Sequence, residues 1–385
     1  MTLDFPATFY GSDEGQVRLE IGKWSYANWT SASFSRSLET FASAFTVQGS
    51  KSFPHETNQV GFRPGDLVRL YLDDRLAMTG YIDTVEFSHD GTVSVSGRSK
   101  TGQLVDCSAQ TFSIKKTSFL QAAKILAAPY NVSVDGEQGP KMARFIIPRG
   151  DTVWAALDKR AVKAGLLCLD TETGDLVVTK AGTLRAVTTV GPSAISSKVT
   201  FSMTGRFRRY ETKGAIADDP PPTGASAVDA LGGADDEECP LERLLIIRAK
   251  GLGNRDDALR HARWEAATRY GKSTTLVYTL PGWTMADGNL WWVNQLADVQ
   301  DERHNINGEY LIVSARYTKD ANGTQTELTL HPPQAFLAEP IPKGKNGNKN
   351  VWIPIGDKVQ PFDPNAFTAD ETVGRTPVSG QSGAP

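Results

Sequence analysis

The sequence predicts a mainly β fold with an α+β insert, in which one antiparallel barrel-type unit is duplicated. Three observations predict it. A strand followed by a hairpin occurs twice, once near each end of the chain. Thirty-five glycines and 21 prolines break the 385 residues at short intervals, as many short strands joined by turns require. Between the two units the alternation of strands gives way to Ala/Leu-rich helical runs.

The first copy starts with an apolar strand, Asp66 to Leu72, ending in Asp73-Asp74. A hairpin from Gly80 to Ser99 follows, turning at Asp90-Gly91. In the second copy Leu290 to Val299 ends in Asp301-Glu302, and a hairpin runs from Gly308 to Leu330, turning at Asn322-Gly323. Asp-Gly and Asn-Gly suit a type I′ turn, whose two residues both lie at positive φ. Two unrelated hairpins in a β-rich chain would give the same pattern. A true duplication suggests a fold whose shape is its product.

The remaining elements follow in order. Residues 1–16 read as an N-terminal arm. Val17, Leu19 and Ile21 alternate with polar neighbours, and residues 17–108 read as a first barrel of about six or seven strands. Residues 109–185 read as a small α+β domain. Its first helix is capped by Ser118, with Gln121 at the capping-box spacing. Its second starts at Asp151 or Thr152 and stops at Gly165. Residues 186–250 form a connecting β region holding a mobile acidic loop, 215–240, whose Asp235-Asp236-Glu237-Glu238 run reads as solvated charge. Residues 251–338 comprise a helix ending at Tyr270, with Gly271 after it, and the second barrel region. In the helix Ala258, Ala262 and Ala266 make a small-residue stripe that permits close approach to a sheet or a neighbouring subunit. Residues 339–385 read as an extended tail with one apolar island, Val351 to Ile355.

Composition narrows the function. A net charge of −3 gives no basic footprint for nucleic acid. No run nears the ~18 apolar residues of a membrane span, and the first residues lack a secretory signal's basic start and apolar segment. Cys107, Cys168 and Cys239 lie far apart, so neither a disulfide framework nor a zinc site is expected.

Chemistry is sparse. Gly271-Lys272-Ser273-Thr274 ends like a phosphate loop, but it closes a helix where such a loop must open one. The five histidines are scattered, and Glu20, Glu39, Asp83, Glu86 and Asp170 show no spacing that pairs two carboxylates. No catalytic, metal or cofactor-binding residue is assigned. Trp283, Trp291 and Trp292 cluster in the second unit, as core, subunit interface or sugar-binding patch. Adjacent Trp291 and Trp292 on a strand would face opposite ways, one inward and one toward a neighbour. With Val351, Trp352 and Ile353 of the tail they are the candidate subunit or spike interface.

Over residues 15–340 the chain resembles the baseplate hub proteins of Mu-like contractile-tailed phages. The resemblance rests on Ser35-Arg36-Ser37-Leu38-Glu39, Arg63-Pro64-Gly65-Asp66, Gly80-Tyr81-Ile82, Val93 to Ser99 and Leu104-Val105-Asp106. In the second half it rests on the helix Asp257 to Tyr270, Gly282-Trp283, Leu290-Trp291 and Gly308 to Ile312. It implies two tail-tube-like β-barrel domains per chain, with smaller peripheral domains. It further implies a homotrimeric ring joining a sixfold tail tube to a threefold central spike, beside neighbouring baseplate proteins. DNA would pass its channel without specific binding, and the ring would sit in the virion after assembly in the host cytoplasm. Some relatives carry a fused hydrolase, for which this chain shows no spare segment, so no enzymatic activity is expected. The rival readings are a cell-envelope hydrolase or glycan-binding tail module, and the hub of a related injection particle.

Overall fold

The computed structural model describes residues 15–27, 29–50, 61–215, 230–250, 255–337 and 339. The first unit contains β1 (Val17–Ile21), β2 (Trp24–Tyr26), β3 (Ser31–Ser37), β4 (Ala44–Ser50), β5 (Leu67–Leu72), β6 (Arg75–Phe87) and β7 (Thr92–Ser99). Alternation sets their faces. Phe45 and Val47 of β4, and Val93 and Val95 of β7, are buried, while Thr46 and Gln48 are exposed. Asp73 and Asp74, at φ 49° and 60°, are themselves the two-residue turn that joins β5 to β6. From sequence alone they read only as the end of a strand.

The expected type I′ turn at Asp90-Gly91 is not formed. The Gly91 amide bonds the Ser88 carbonyl at 3.1 Å, and of the two residues only Gly91 is left-handed, at φ 85°. Likewise Gly323, not Asn322, has positive φ, at 106°. Longer loops need one left-handed residue, which the glycine supplies.

The insert runs through α1 (Gly102–Asp106), β8 (Ser113–Ser118), α2 (Phe119–Ala127), β9 (Val134–Gly136), β10 (Lys141–Ile146), α3 (Val153–Ala164), β11 (Leu167–Asp170) and β12 (Leu176–Thr179). Its core holds Phe119, Phe145, Leu157 and Leu176, separate from that of the main sheet. The Ser118 hydroxyl accepts the Gln121 amide at 3.2 Å, and Thr152 accepts that of Ala155 at 3.2 Å. Gly165 ends α3 at φ 63°.

β13 (Leu184–Arg185) and β14 (Ser196–Phe201) return to the main sheet. A three-stranded sheet follows, of β15 (Arg209–Ala215), β16 (Ala230–Asp235) and β17 (Leu244–Lys250), packed on α4 (Arg255–Lys272). Here the expected acidic loop 215–240 is corrected in its last part, since Ala230–Asp235 is a strand paired to β15; residues 216–229 lie outside the described residues. Asp236 is not solvated charge either. It is buried and takes both Nε (2.8 Å) and Nη2 (2.7 Å) of buried Arg206. A fork-to-carboxylate bond of this kind satisfies a buried acid. The stripe Ala258, Ala262 and Ala266 is buried beneath this sheet. Approach is so close that a Cβ on Gly232 would lie 2.2 Å from the Leu259 nitrogen. Gly271 lies inside α4 rather than after it, where a Cβ would meet the Ala335 nitrogen at 2.2 Å.

The second unit closes with β18 (Thr274–Pro281), β19 (Gln295–Asp301), β20 (Ile306–Asp320) and β21 (Gly323–His331). Thirteen strands form one sheet, ordered β14-β18-β21-β20-β3-β4-β7-β6-β5-β1-β2, with β19 on β20 and β13 on β19. The two copies therefore share a sheet and a continuous apolar core, joined where β20 pairs antiparallel with β3.

Candidate assembly interface and its buried joints

The structure separates the tryptophans chosen from sequence. Trp283 (1% exposed) and Trp291 (2%) are core residues, which corrects their assignment to an interface. The Trp283 indole N–H donates to the Thr318 carbonyl at 3.1 Å, and the Tyr317 hydroxyl donates to the Trp291 carbonyl. Trp291 and Trp292 lie between β18 and β19, outside any strand, so the opposite-face argument does not apply. Half-buried Trp292 lies against Arg36, whose guanidinium carbon is 3.4 Å from the ring centre. Val351, Trp352 and Ile353 lie outside the described residues.

Arg36 marks the joint between the parts. β3 carries it into a buried position facing Asp170 at the end of β11, with side chains only 2% and 4% exposed. Its Nε donates to Asp170 Oδ1 at 3.2 Å and to Ser43 Oγ at 3.0 Å, and its Nη2 to the Ala77 carbonyl at 3.3 Å. The second Asp170 oxygen accepts the Ser43 amide at 3.2 Å. One cation thus ties the first unit, the insert and, through Trp292, the second unit. A desolvated guanidinium on an indole face is worth about 2 kcal/mol.

A second polar joint pins the end of β19. Asp301 Oδ2 accepts from the Tyr278 hydroxyl (2.9 Å) and bonds His304 Nδ1 (2.7 Å). Its Oδ1 accepts the amides of Arg303 (3.1 Å) and His304 (3.3 Å). Burial acts to raise the carboxyl, but the bonds from His304 and Tyr278 outweigh it and hold it below the usual carboxylate range. Burial, reinforced by Asp301, pushes the Tyr278 phenol up. With four partners on its two oxygens, Asp301 serves as a turn-fixing acceptor. Among the described residues no three His, Cys, Asp or Glu side chains converge as metal ligands would.

Several strands are edges among the described residues, β2, β16 and β17 among them, and two further open edges carry exposed phenylalanines. Among the described residues, β14 has a partner only in β18, and β6 beyond Ile82 only in β7. They carry Phe201 (65% exposed) and Phe87 (56%). The alternation of Val199, Phe201 and Met203 signals a strand but not its free edge. An edge depends on which strands pair, and that is long-range information.

The comparisons agree with this architecture. Residues 16–99 match the N-terminal domain of Mu phage baseplate assembly protein GpP-like proteins, and residues 255–339 the fourth domain of Mu phage baseplate assembly protein GpP. Residues 101–180 match the second domain of gp44-like baseplate hub proteins. The chain is 29% identical to baseplate hub protein gp44 of Escherichia phage Mu over 343 residues, 84% of this chain and 89% of that protein. It is similar to the 43 kDa tail protein of prophage MuSo2 from Shewanella oneidensis, with TM-score 0.74 and 28% identity over 83% of this chain and 99% of that one. A tail protein from Neisseria meningitidis MC58 shares the fold, with TM-score 0.68 and 22% identity over 85% of this chain and 100% of that one. Three domain matches in sequential order, a relative aligned over most of both chains and a fold in common together place this chain in the family of Mu-like phage baseplate hub proteins, as a structural component of the virion tail.

Proposed function

We propose that three copies of this chain close into a ring that adapts a sixfold tail tube to a threefold central spike. The observation that carries this reading is the repeat of one strand–hairpin unit within a single sheet, β5-β6-β7 and β19-β20-β21. Two similar units per chain give a trimer six similar positions, so a threefold assembly can mate with a sixfold one. One face of the ring meets the tube and the other the spike, with neighbouring baseplate proteins around it. DNA leaves through the centre. A chain of net charge −3 has little cause to hold it there. The ring works by shape, without catalysis or cofactor, and is assembled in the host cytoplasm. Copy counting by quantitative mass spectrometry of purified tails tests the proposal. Three chains per tail are expected, and six or one would refute the adaptor.

A further inference from the structure

The two halves of the main sheet correspond in register across β3-β4-β7-β6 and β14-β18-β21-β20. β6 and β20 each contain a bulge, at Ile82/Thr84 and at Ile312/Ser314. Before each bulge the strand is held alike: the Gly65 amide bonds the Ile82 carbonyl at 2.8 Å, and the Asn294 amide bonds the Ile312 carbonyl at 2.9 Å. Aligned there, Val85 corresponds to Ala315 and Phe87 to Tyr317. Following the ladders outward, Phe45 corresponds to Leu276, and Phe34 of β3 to Val199 of β14.

This correspondence exposes an asymmetry. The outer edge of β20 beyond its bulge is covered by β3 of the same chain, with Tyr317 opposite Phe34 and Ala315 opposite Arg36. The matching edge of β6 carries no strand among the described residues, and the strand equivalent to β3, β14, is itself an edge. Each chain thus contains one completed join and the two complementary halves of another.

We propose that β14 of one copy pairs antiparallel with β6 of a second copy, in the register that β3 adopts on β20. Phe87 then faces Val199, Val85 faces Phe201, Glu86 faces Thr200 and Ser88 faces Lys198. The residues suit this register. Val85 and Val199 already pack against the edge of the core, and the two exposed phenylalanines extend it. In the internal join Phe34 and Tyr317 stack with ring centres 5.6 Å apart. On the opposite face Glu86 lies diagonal to Lys198, within reach of a cross-strand ion pair. The Leu38 amide reaches the Val313 carbonyl at 2.8 Å in the internal join, and the Met203 amide takes the same place on the Asp83 carbonyl. The contact is head-to-tail and uses up both edges when the ring closes.

This inference rests on the trimeric reading, and the test separates the two. In the internal join Arg316 and Ser35, the counterparts of Glu86 and Thr200, form a non-hydrogen-bonded pair, the closer kind, whose Cα spacing of ~4.5 Å a disulfide can span. The full chain carrying Cys107→Ser with Glu86→Cys and Thr200→Cys is sized by light scattering while reduced, then oxidised and run on a denaturing gel. A reduced trimer that becomes a covalent trimer, with neither single-cysteine variant cross-linking, is the expected result. A reduced trimer that does not cross-link overturns the join and leaves the ring standing. A chain that stays monomeric, with the spike present as well as without it, overturns both. As a second readout, Phe201→Glu should weaken trimer association by about 100-fold with an unchanged far-ultraviolet circular dichroism spectrum, whereas Phe201→Leu should retain it. Equal association of the two variants overturns the join.

Discussion

Replacing Arg36 tests whether one buried cation joins the parts of the chain. Arg36→Met keeps most of the side-chain volume but leaves the Asp170 carboxylate buried with the Ser43 amide, at 3.2 Å, as its remaining donor. Breaking a buried pair from one side costs about 3–5 kcal/mol, because the surviving charge is uncompensated. Asp170→Leu should cost a similar amount for the same reason. The double variant removes both charges, leaving chiefly the unbonded Ser43 amide, about 1–3 kcal/mol. Urea denaturation of the full chain, followed by tryptophan fluorescence, measures all three. The double variant should be more stable than either single one. Additive losses, or single losses below about 1 kcal/mol, would show that Arg36 and Asp170 are not coupled.

Acid should destabilise the chain through Asp301. Its folded carboxyl is held below the unfolded value of about 3.9, so its stabilisation is full above that pH and disappears as pH falls through the folded value. Asp301→Asn should flatten the acid limb of stability against pH, and an unaltered limb would rule Asp301 out as its source. Gly232→Ala places a Cβ 2.2 Å from the α4 backbone and should cost about 1–3 kcal/mol by overpacking; a neutral result in thermal melts would mean that the helix can move away freely. Thr152→Ala removes the cap of α3 and should cost about 1 kcal/mol, while Thr152→Ser should cost much less. Burial pushes the Cys168 thiol up to about 12, so alkylation at neutral pH should reach it only after unfolding; rapid labelling of the native chain would contradict its place in the core.

Signals spanning a few residues were legible. Ser118 and Thr152 cap the helices expected of them, and the alanine stripe lies on a sheet, because caps and stripes are set within a turn or two of chain. Turn chemistry was half legible. Gly91 and Gly323 take the left-handed positions, but the tight two-residue turn is Asp73-Asp74, where aspartate tolerates positive φ. What failed was everything decided across distance. Asp236 resembled solvent-facing charge until Arg206 met it from 30 residues away. Trp283 and Trp291 resembled a surface patch, yet the second unit folds around them. The open edges at Phe87 and Phe201 follow from which strands already have two neighbours, and no local pattern records that.

Light scattering on the purified chain over a range of concentrations, alone and with the spike protein of the same tail, tests the proposed trimeric ring. A species of three times the 41.7 kDa chain mass is the predicted result. A chain that stays monomeric at every concentration, with the spike present as well as without it, would rule the ring out.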